Sequence, residues 1–206
     1  MIPYVRQFDF AYGRRDQVSP LIQRVIADNP GPFTFTGTGT YIVGRPEAGA
    51  AVAVIDPGPL DDAHLAALLA AVEGRTVSQV LVTHTHRDHA PLARPFAAAT
   101  GATILAAQPP ARDTHASGAL DEDDDADFAP DVVLSGGEVM AGDGWTMEAV
   151  FTPGHASNHM AFALHEENAL FSGDHVMGWS TTVVAPPDGN MRDYLRSLDT
   201  VIAREF

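Results

Sequence analysis

Six consecutive residues, His84-Thr85-His86-Arg87-Asp88-His89, contain three imidazoles and a carboxylate. They follow Val80-Leu81-Val82, a run that reads as a buried strand. In extended chain His84 and His86 project to one side, because the side-chain period of a strand is two. Two imidazoles on one side can chelate a single ion. Asp88 and His89 come where the chain must turn and can face a second point nearby. Imidazole and carboxylate suit zinc, iron or manganese. A lone His is more often a packed or surface residue than a ligand; a cluster of ligand-type side chains at this spacing seldom is.

Two later turns offer partners. Thr152-Pro153-Gly154-His155 follows an apolar run ending at Phe151, and Ser172-Gly173-Asp174 follows one ending at Phe171. Each places a ligand-type side chain after a strand-like segment and a glycine. Loops at the ends of a rigid sheet are where sites are usually built. Convergence of His155 and Asp174 on the first cluster is therefore expected.

The elements that must position these residues can be read from pattern. Thr40 to Val43 and Ala51 to Ile55 are short β-rich runs joined by a turn at Gly44 to Gly49. Asp56-Pro57-Gly58-Pro59 stops the second. Asp61 or Asp62 then caps a helix through Leu65, Leu68, Leu69 and Val72, with Gly74 as its C-cap. Pro91 to Thr100 reads as a helix with proline in its first turn, and Ala102 to Ala106 as the next strand. Residues 108–130 include the run Asp121-Glu122-Asp123-Asp124-Asp125 and read as a solvated loop. Strand-like runs follow at Val132 to Leu134, Trp145 to Phe151, Met160 to Leu164 and Ala169 to Ser172. Met191 to Phe206 carries Met191, Tyr194, Leu195, Leu198, Val201 and Ile202 at helical spacing on one face. No linker or fixed-period repeat interrupts the chain, so one domain over residues 1–206 is expected. Mixed strands and helices favour a layered α/β (α+β) fold.

Composition narrows the chemistry. The 206 residues carry a formal charge of −15 and no cysteine, and every basic residue is arginine. Without cysteine there are no disulfides, thiolate sites or thiol nucleophiles. A chain this acidic repels nucleic acid and anionic membrane at long range. Met1 to Phe10 contains no apolar run resembling a secretion signal, and no stretch is long and apolar enough to span a bilayer. A cytoplasmic protein with no membrane partner is the expectation.

The His-x-His-x-Asp-His cluster with Gly154-His155 and Gly173-Asp174 resembles the metallo-β-lactamase-fold hydrolases. Further phrases resemble the branch that includes β-lactamase-like protein 2. These are Asn29-Pro30-Gly31-Pro32-Phe33-Thr34, Gly39 to Gly44, Ile55-Asp56-Pro57-Gly58 and Ala169 to Gly178. The resemblance covers nearly the whole chain. It implies a four-layer αβ/βα sandwich with the site at one edge of two sheets. By the same resemblance His84, His86 and His155 hold a first zinc (iron or manganese being alternatives). Asp88 and His89 hold a second, Asp174 bridges the two, and activated water attacks an ester-like centre. Asp88 would also handle a proton, and Asp56 would support the ligand loop.

Three departures from the family pattern stand out. Ala90-Pro91-Leu92 replaces a usual glycine, Ala156 a usual Thr or Ser, and no His follows His175 where the family carries a last metal ligand. The expectation is a chain truncated at its C-terminus, or a second metal position weaker than the first. The branch implies a single-stranded RNA substrate, which the acidic composition opposes. Small-molecule thioester hydrolysis of the hydroxyacylglutathione type is the alternative, and a non-catalytic or single-metal binding module the third. Of the remaining histidines, His159 is read as packing or as a support of the site. His175 is expected to point away from the metals if its segment is extended, and His64, His115 and His165 are placed at the surface.

Overall fold

The computed structural model describes residues 3–109, 125 and 128–204. Most of the acidic run and His115 lie outside these residues. The chain builds β1 (Arg15–Gln17), β2 (Ile22–Ile26), β3 (Gly39–Val43) and β4 (Ala51–Ile55), then α1 (Asp62–Ala71) and β5 (Thr76–Val82). There follow α2 (Ala93–Thr100), β6 (Thr103–Ala107), β7 (Val132–Leu134), β8 (Val139–Gly142), β9 (Trp145–Phe151), β10 (Met160–Leu164) and β11 (Ala169–Phe171). A single 3-10 turn at Gly173–His175 and helix α3 (Met191–Ile202) complete it.

Seven strands form one sheet in the order β1-β2-β3-β4-β5-β6-β7, and four form a second in the order β11-β10-β9-β8. Strands β1 to β4 pair antiparallel, whereas β4 to β7 pair parallel. The parallel half needs crossovers, which α1 and α2 supply. Both faces of the first sheet are covered, so its central strands are apolar without interruption. On β5, Val80 and Val82 pack with Leu68 and Phe96 under the helices, while Leu81 packs with Phe162 and Met147 between the sheets. The outer face of the second sheet carries Val150, Ala161 and Ala163. Helix α3 lies on that side, where Arg204 just beyond it reaches Glu148 at 2.8 Å. The layers run helices, sheet, sheet, helix, matching the expected αβ/βα sandwich.

Several local expectations are corrected. Strands β1, β2 and β8 left no pattern in the sequence: β1 is short and polar, β8 has four residues of which only Met140 is buried, and β2 is interrupted by Gln23 and Arg24. Helix α1 is capped by Asp61, whose carboxylate accepts the His64 N–H, but it ends at Val72 rather than Gly74. Gly74 instead takes φ +76 in the turn that follows. Helix α2 starts at Ala93, so Pro91 lies outside it, and Gly101 (φ +79) closes it. His64 is not a surface residue: it is 3% exposed on the inner face of α1. Helix α3 buries its apolar stripe only in part: Met191, Leu195 and Ile202 are 56%, 54% and 71% exposed, while Tyr194, Leu198 and Val201 are half-buried. The helix docks through Tyr194 of that stripe and through Ser197, whose hydroxyl donates to the Pro153 carbonyl at 2.7 Å. No helix among the described residues is long and apolar enough to cross a membrane.

Candidate metal centre

The sequence cluster sits where β5 ends. Parallel strands β4 and β5 finish side by side, and the Asp56 N–H donates to the Leu81 carbonyl at 2.9 Å. Asp56 itself adopts φ +49, a left-handed conformation uncommon outside glycine. That turn aims its carboxylate at the next loop. Oδ1 accepts the Thr83 N–H at 2.7 Å, and Oδ2 accepts the Thr83 hydroxyl at 2.7 Å and the His89 Nδ1–H at 2.8 Å. The Thr83 hydroxyl has then given away its proton, so it accepts from His84 Nδ1 at 3.0 Å. Both imidazoles are thereby locked with Nε2 as the lone-pair nitrogen, the form a metal needs. The supporting role expected for Asp56 has this geometry.

His155 reaches the same place from the loop after β9. Its Nδ1–H donates to the Val183 carbonyl at 2.6 Å, which leaves Nε2 facing the cluster. His84 Nε2 and His155 Nε2 lie 2.9 and 3.1 Å from His86 Nδ1. Two lone-pair nitrogens crowd one neighbour here, and a shared cation relieves their repulsion. Ligand atoms of His84, His86 and His155 all fall within 4.8 Å of one another, as do those of His84, His89 and Asp174.

Asp174 stands between the groups, with Oδ1 3.4 Å from His89 Nε2 and Oδ2 3.8 Å from His155 Nε2. Asp88 Oδ2 is 3.2 Å from His89 Nε2. The structure thus gathers all six sequence-predicted site residues at one edge of the two sheets. The donor set fits divalent metal: neutral imidazoles with oriented second nitrogens, and carboxylates on one side.

The electrostatics agree. Burial pushes His84 well below the usual imidazole range, and the neighbouring imidazoles push it further. Burial also disfavours charge on His89, but Asp88, Asp174 and Asp56 around it overcome this and raise its proton affinity well above normal. Burial alone would raise the Asp88 carboxyl, yet His89 beside it holds it well below the usual carboxylate range. A pocket that draws a proton onto His89 is one that seeks positive charge.

Other supports left no mark in the sequence. The Thr38 hydroxyl lies 3.3 Å from Asp88 Oδ2 and is held by the Asn29 side chain, whose Oδ1 accepts the Thr38 N–H at 2.8 Å. The Thr182 hydroxyl donates to the Asp174 carbonyl, so the Thr182–Val183 pair clasps both Asp174 and His155. The Thr40 hydroxyl donates to the Asp56 carbonyl at 2.8 Å and accepts from His64 Nε2 at 3.0 Å. His159 lies behind the cluster with its ring 5.1 Å from that of His84, and its Nδ1 sits 2.9 Å from the Thr152 hydroxyl. His175 is carried inward by a 3-10 turn, not by the extended chain expected for it. It packs edge-on against the Tyr194 ring with centroids 4.8 Å apart, and burial pushes it down to about 4. His165 is half exposed beside Glu148, as expected for a surface residue.

A cavity of about 560 Å³ opens onto Asp88, His89 and Asp174. Its walls include Tyr41, Phe171, Phe35 and Trp179, and the last two stack at 5.1 Å with their planes 15° apart.

Known proteins share this architecture. Among solved structures, a β-lactamase domain protein from Burkholderia ambifaria superposes with a TM-score of 0.69 at 20% identity, covering 92% of this chain and 64% of that one. A metallo-β-lactamase family protein from Thermus thermophilus gives 0.64 at 23% identity, covering 91% and 71%. A lactamase-like protein of Pestalotiopsis microspora is 35% identical over 89% of this chain and 52% of its own length. An atrochrysone carboxyl ACP thioesterase of Aspergillus fumigatus is 36% identical over the same shares. The chain spans about half the length of these curated relatives. Their names support the hydrolase class and do not single out the β-lactamase-like protein 2 branch. The family model for the metallo-β-lactamase superfamily matches residues 34–205, the stretch that carries both sheets' site-facing ends and all six clustered ligand-type residues. By that match, and by the fold that brings those residues together, the chain belongs to the metallo-β-lactamase superfamily.

Proposed function

We propose that this chain is a metal-dependent hydrolase of thioesters. His84, His86 and His155 would hold one divalent ion, with zinc the first choice for three imidazoles and iron or manganese also suited. Asp88 and His89 would hold a second, with Asp174 between the two. Such ions lower the pKa of water and polarise a carbonyl oxygen. The protein's own residues do the rest. Asp56 keeps the His84 and His89 lone pairs aimed inward, Thr38 holds the Asp88 carboxylate, and Asp88, kept ionised by His89, is placed to accept a proton at Oδ2.

The observation that carries the thioester reading is the apolar, aromatic cavity that opens directly onto Asp88, His89 and Asp174. An acyl group fits such walls, whereas a chain of phosphates needs a basic track. The relatives named as ACP thioesterases support the same reading. The test is hydrolysis of aryl and acetyl thioesters of N-acetylcysteamine by the zinc-loaded protein, beside a single-stranded RNA oligomer. Thioester cleavage lost on chelation and in His84→Ala and Asp174→Ala is expected. RNA cleavage without thioester cleavage, or thioester activity surviving both substitutions, overturns the reading.

A further inference from the structure

The cavity beside Asp88, His89 and Asp174 has a feature that metal binding does not use. Arg24 is the one guanidinium among its described lining residues. It projects from β2 on the face shared by Ile22 and Ile26, which also line the cavity. Cross-strand register sets it in a row: Arg24 pairs with Tyr41, and Tyr41 pairs with Ile55, the residue before Asp56. One intervening strand puts Arg24 about 10 Å laterally from the β4 terminus that carries Asp56.

Arg24 makes no ion pair among the described residues, and its buried Nε has no hydrogen-bond partner. Its cross-strand neighbour Asp16 gives Oδ1 to Arg14, and its Oδ2 makes no hydrogen bond to Arg24. What Arg24 does touch is aromatic, since its guanidinium lies 4.8 Å from the centre of the Phe8 ring. A half-buried cation that makes no ion pair with the protein, in a chain of net charge −15, is favoured when a ligand supplies the pairing oxygen. The walls of the same cavity are aromatic, with the stacked Phe35–Trp179 pair and Tyr41 edge-on to Phe171 at 5.2 Å. Phe35 is held in that stack with φ +56, an uncommon conformation for a bulky residue.

We propose that this cavity binds the acyl part of the substrate as a planar aromatic group bearing an anionic oxygen, with Arg24 pairing that oxygen and the outer face of the Phe35–Trp179 stack lying against the ring. The assignment rests on the thioester reading for the reaction, but it concerns binding and can be measured without turnover. A bicyclic acyl group is of the size of that lateral strand separation, about 10 Å. Guanidinium pairs carboxylate or enolate oxygen in a fork, and the low polarity around it strengthens the pair. Offset stacking adds ring selectivity beyond the area buried.

Calorimetric binding of naphthoate and naphthalene dicarboxylate to the zinc-loaded protein tests this, alongside kcat/KM for naphthoyl, carboxynaphthoyl and acetyl thioesters of N-acetylcysteamine. The wild type is expected to prefer the dicarboxylate about tenfold, the scale of one partly buried charge pair. In Arg24→Gln that preference vanishes while naphthoate binding stays; in Trp179→Ala both acids weaken together. Arg24→Lys, which retains charge but not the fork, falls between. Circular dichroism and melting identify a variant that fails to fold, and Arg24→Lys then carries the comparison. A dicarboxylate preference unchanged in Arg24→Gln overturns the proposal. Binding that behaves as expected while no thioester is cleaved sinks the reaction but leaves the acyl-pocket assignment standing. Acetyl, naphthoyl and carboxynaphthoyl thioesters cleaved equally, without dependence on Arg24, do the reverse.

Discussion

The Asp56 carboxylate accepts the Nδ1–H of His89 at 2.8 Å with the same oxygen that accepts the Thr83 hydroxyl. One buried side chain therefore sets the tautomer of two histidines on the next loop, His89 directly and His84 through Thr83. Replacing Asp56 by Asn, with its NH2 group turned toward His89, sets donor against donor. Zinc affinity should fall about 10–100-fold, as when a hydrogen-bond partner of a ligating histidine is lost. Competition with a chromophoric chelator measures it, and affinity unchanged in Asp56→Asn would remove Asp56 from the design.

Metal should stabilise this fold measurably. Free zinc at about 100 times its dissociation constant contributes about 2.7 kcal/mol. The melting temperature is expected to drop on chelation and recover when zinc is restored. In His84→Ala, which removes a member of both close ligand groups, zinc should no longer raise it. A full zinc-induced rise in His84→Ala would contradict the assignment.

The two metal positions should differ. His84, His86 and His155 present three imidazoles, while the other position relies on Asp88, His89 and the shared Asp174. Zinc titration of the 206-residue chain is expected to show one tight and one weaker ion. Asp88→Ala should abolish the weaker one and spare the tighter. Two equally tight ions would refute this.

Gly154 couples a distant helix to the site. It takes φ +148, and a Cβ there would lie 2.3 Å from the Tyr194 Cα. Gly154→Ala must therefore push α3 away and disturb His155 next to it. A loss of about 1–3 kcal/mol from overpacking is expected in urea unfolding, with weaker zinc binding. Ser197→Ala, which removes only the α3 hydroxyl that donates to Pro153, should cost about 1 kcal/mol and leave zinc binding intact.

Acid should destabilise the fold partly through His64. Burial lowers its proton affinity below the ordinary value of 6.5; Asp61 and the Pro57 backbone oppose this only partly, and Thr40 presents only a hydroxyl. The folded state keeps His64 neutral while the unfolded chain protonates it. The unfolded state thus binds more protons once pH falls below about 6.5, so the stabilisation is complete above that value and is lost below it. His64→Gln should flatten the fall in chelated protein. An identical slope in the variant would exclude a contribution from His64.

Much of the site was legible because its information is local. His84, His86, Asp88 and His89 lie within one turn after a buried strand, and the glycines before His155 and Asp174 mark the other two turns. The central strands were readable for a related reason: burial on both faces demands unbroken apolar runs. Edge strands β1 and β8 carry no such demand and left no pattern. Helix α3 was legible as a helix, but its apolar stripe marks its docking face only in part. A serine hydroxyl and a close approach to Gly154 set its contact, and periodicity does not report either.

The sequence by itself determined the ligand types, their grouping at strand ends and the exclusion of cysteine chemistry, because residue identity and spacing carry those facts. Only the tertiary structure decided which nitrogens face inward, through Asp56, Thr83 and Val183. It alone placed Arg24, distant in the chain, in the same cavity as His89 and Asp174. Lone-pair direction and cross-sheet proximity arise from hydrogen bonds and strand register between segments far apart in sequence, and no local pattern encodes them.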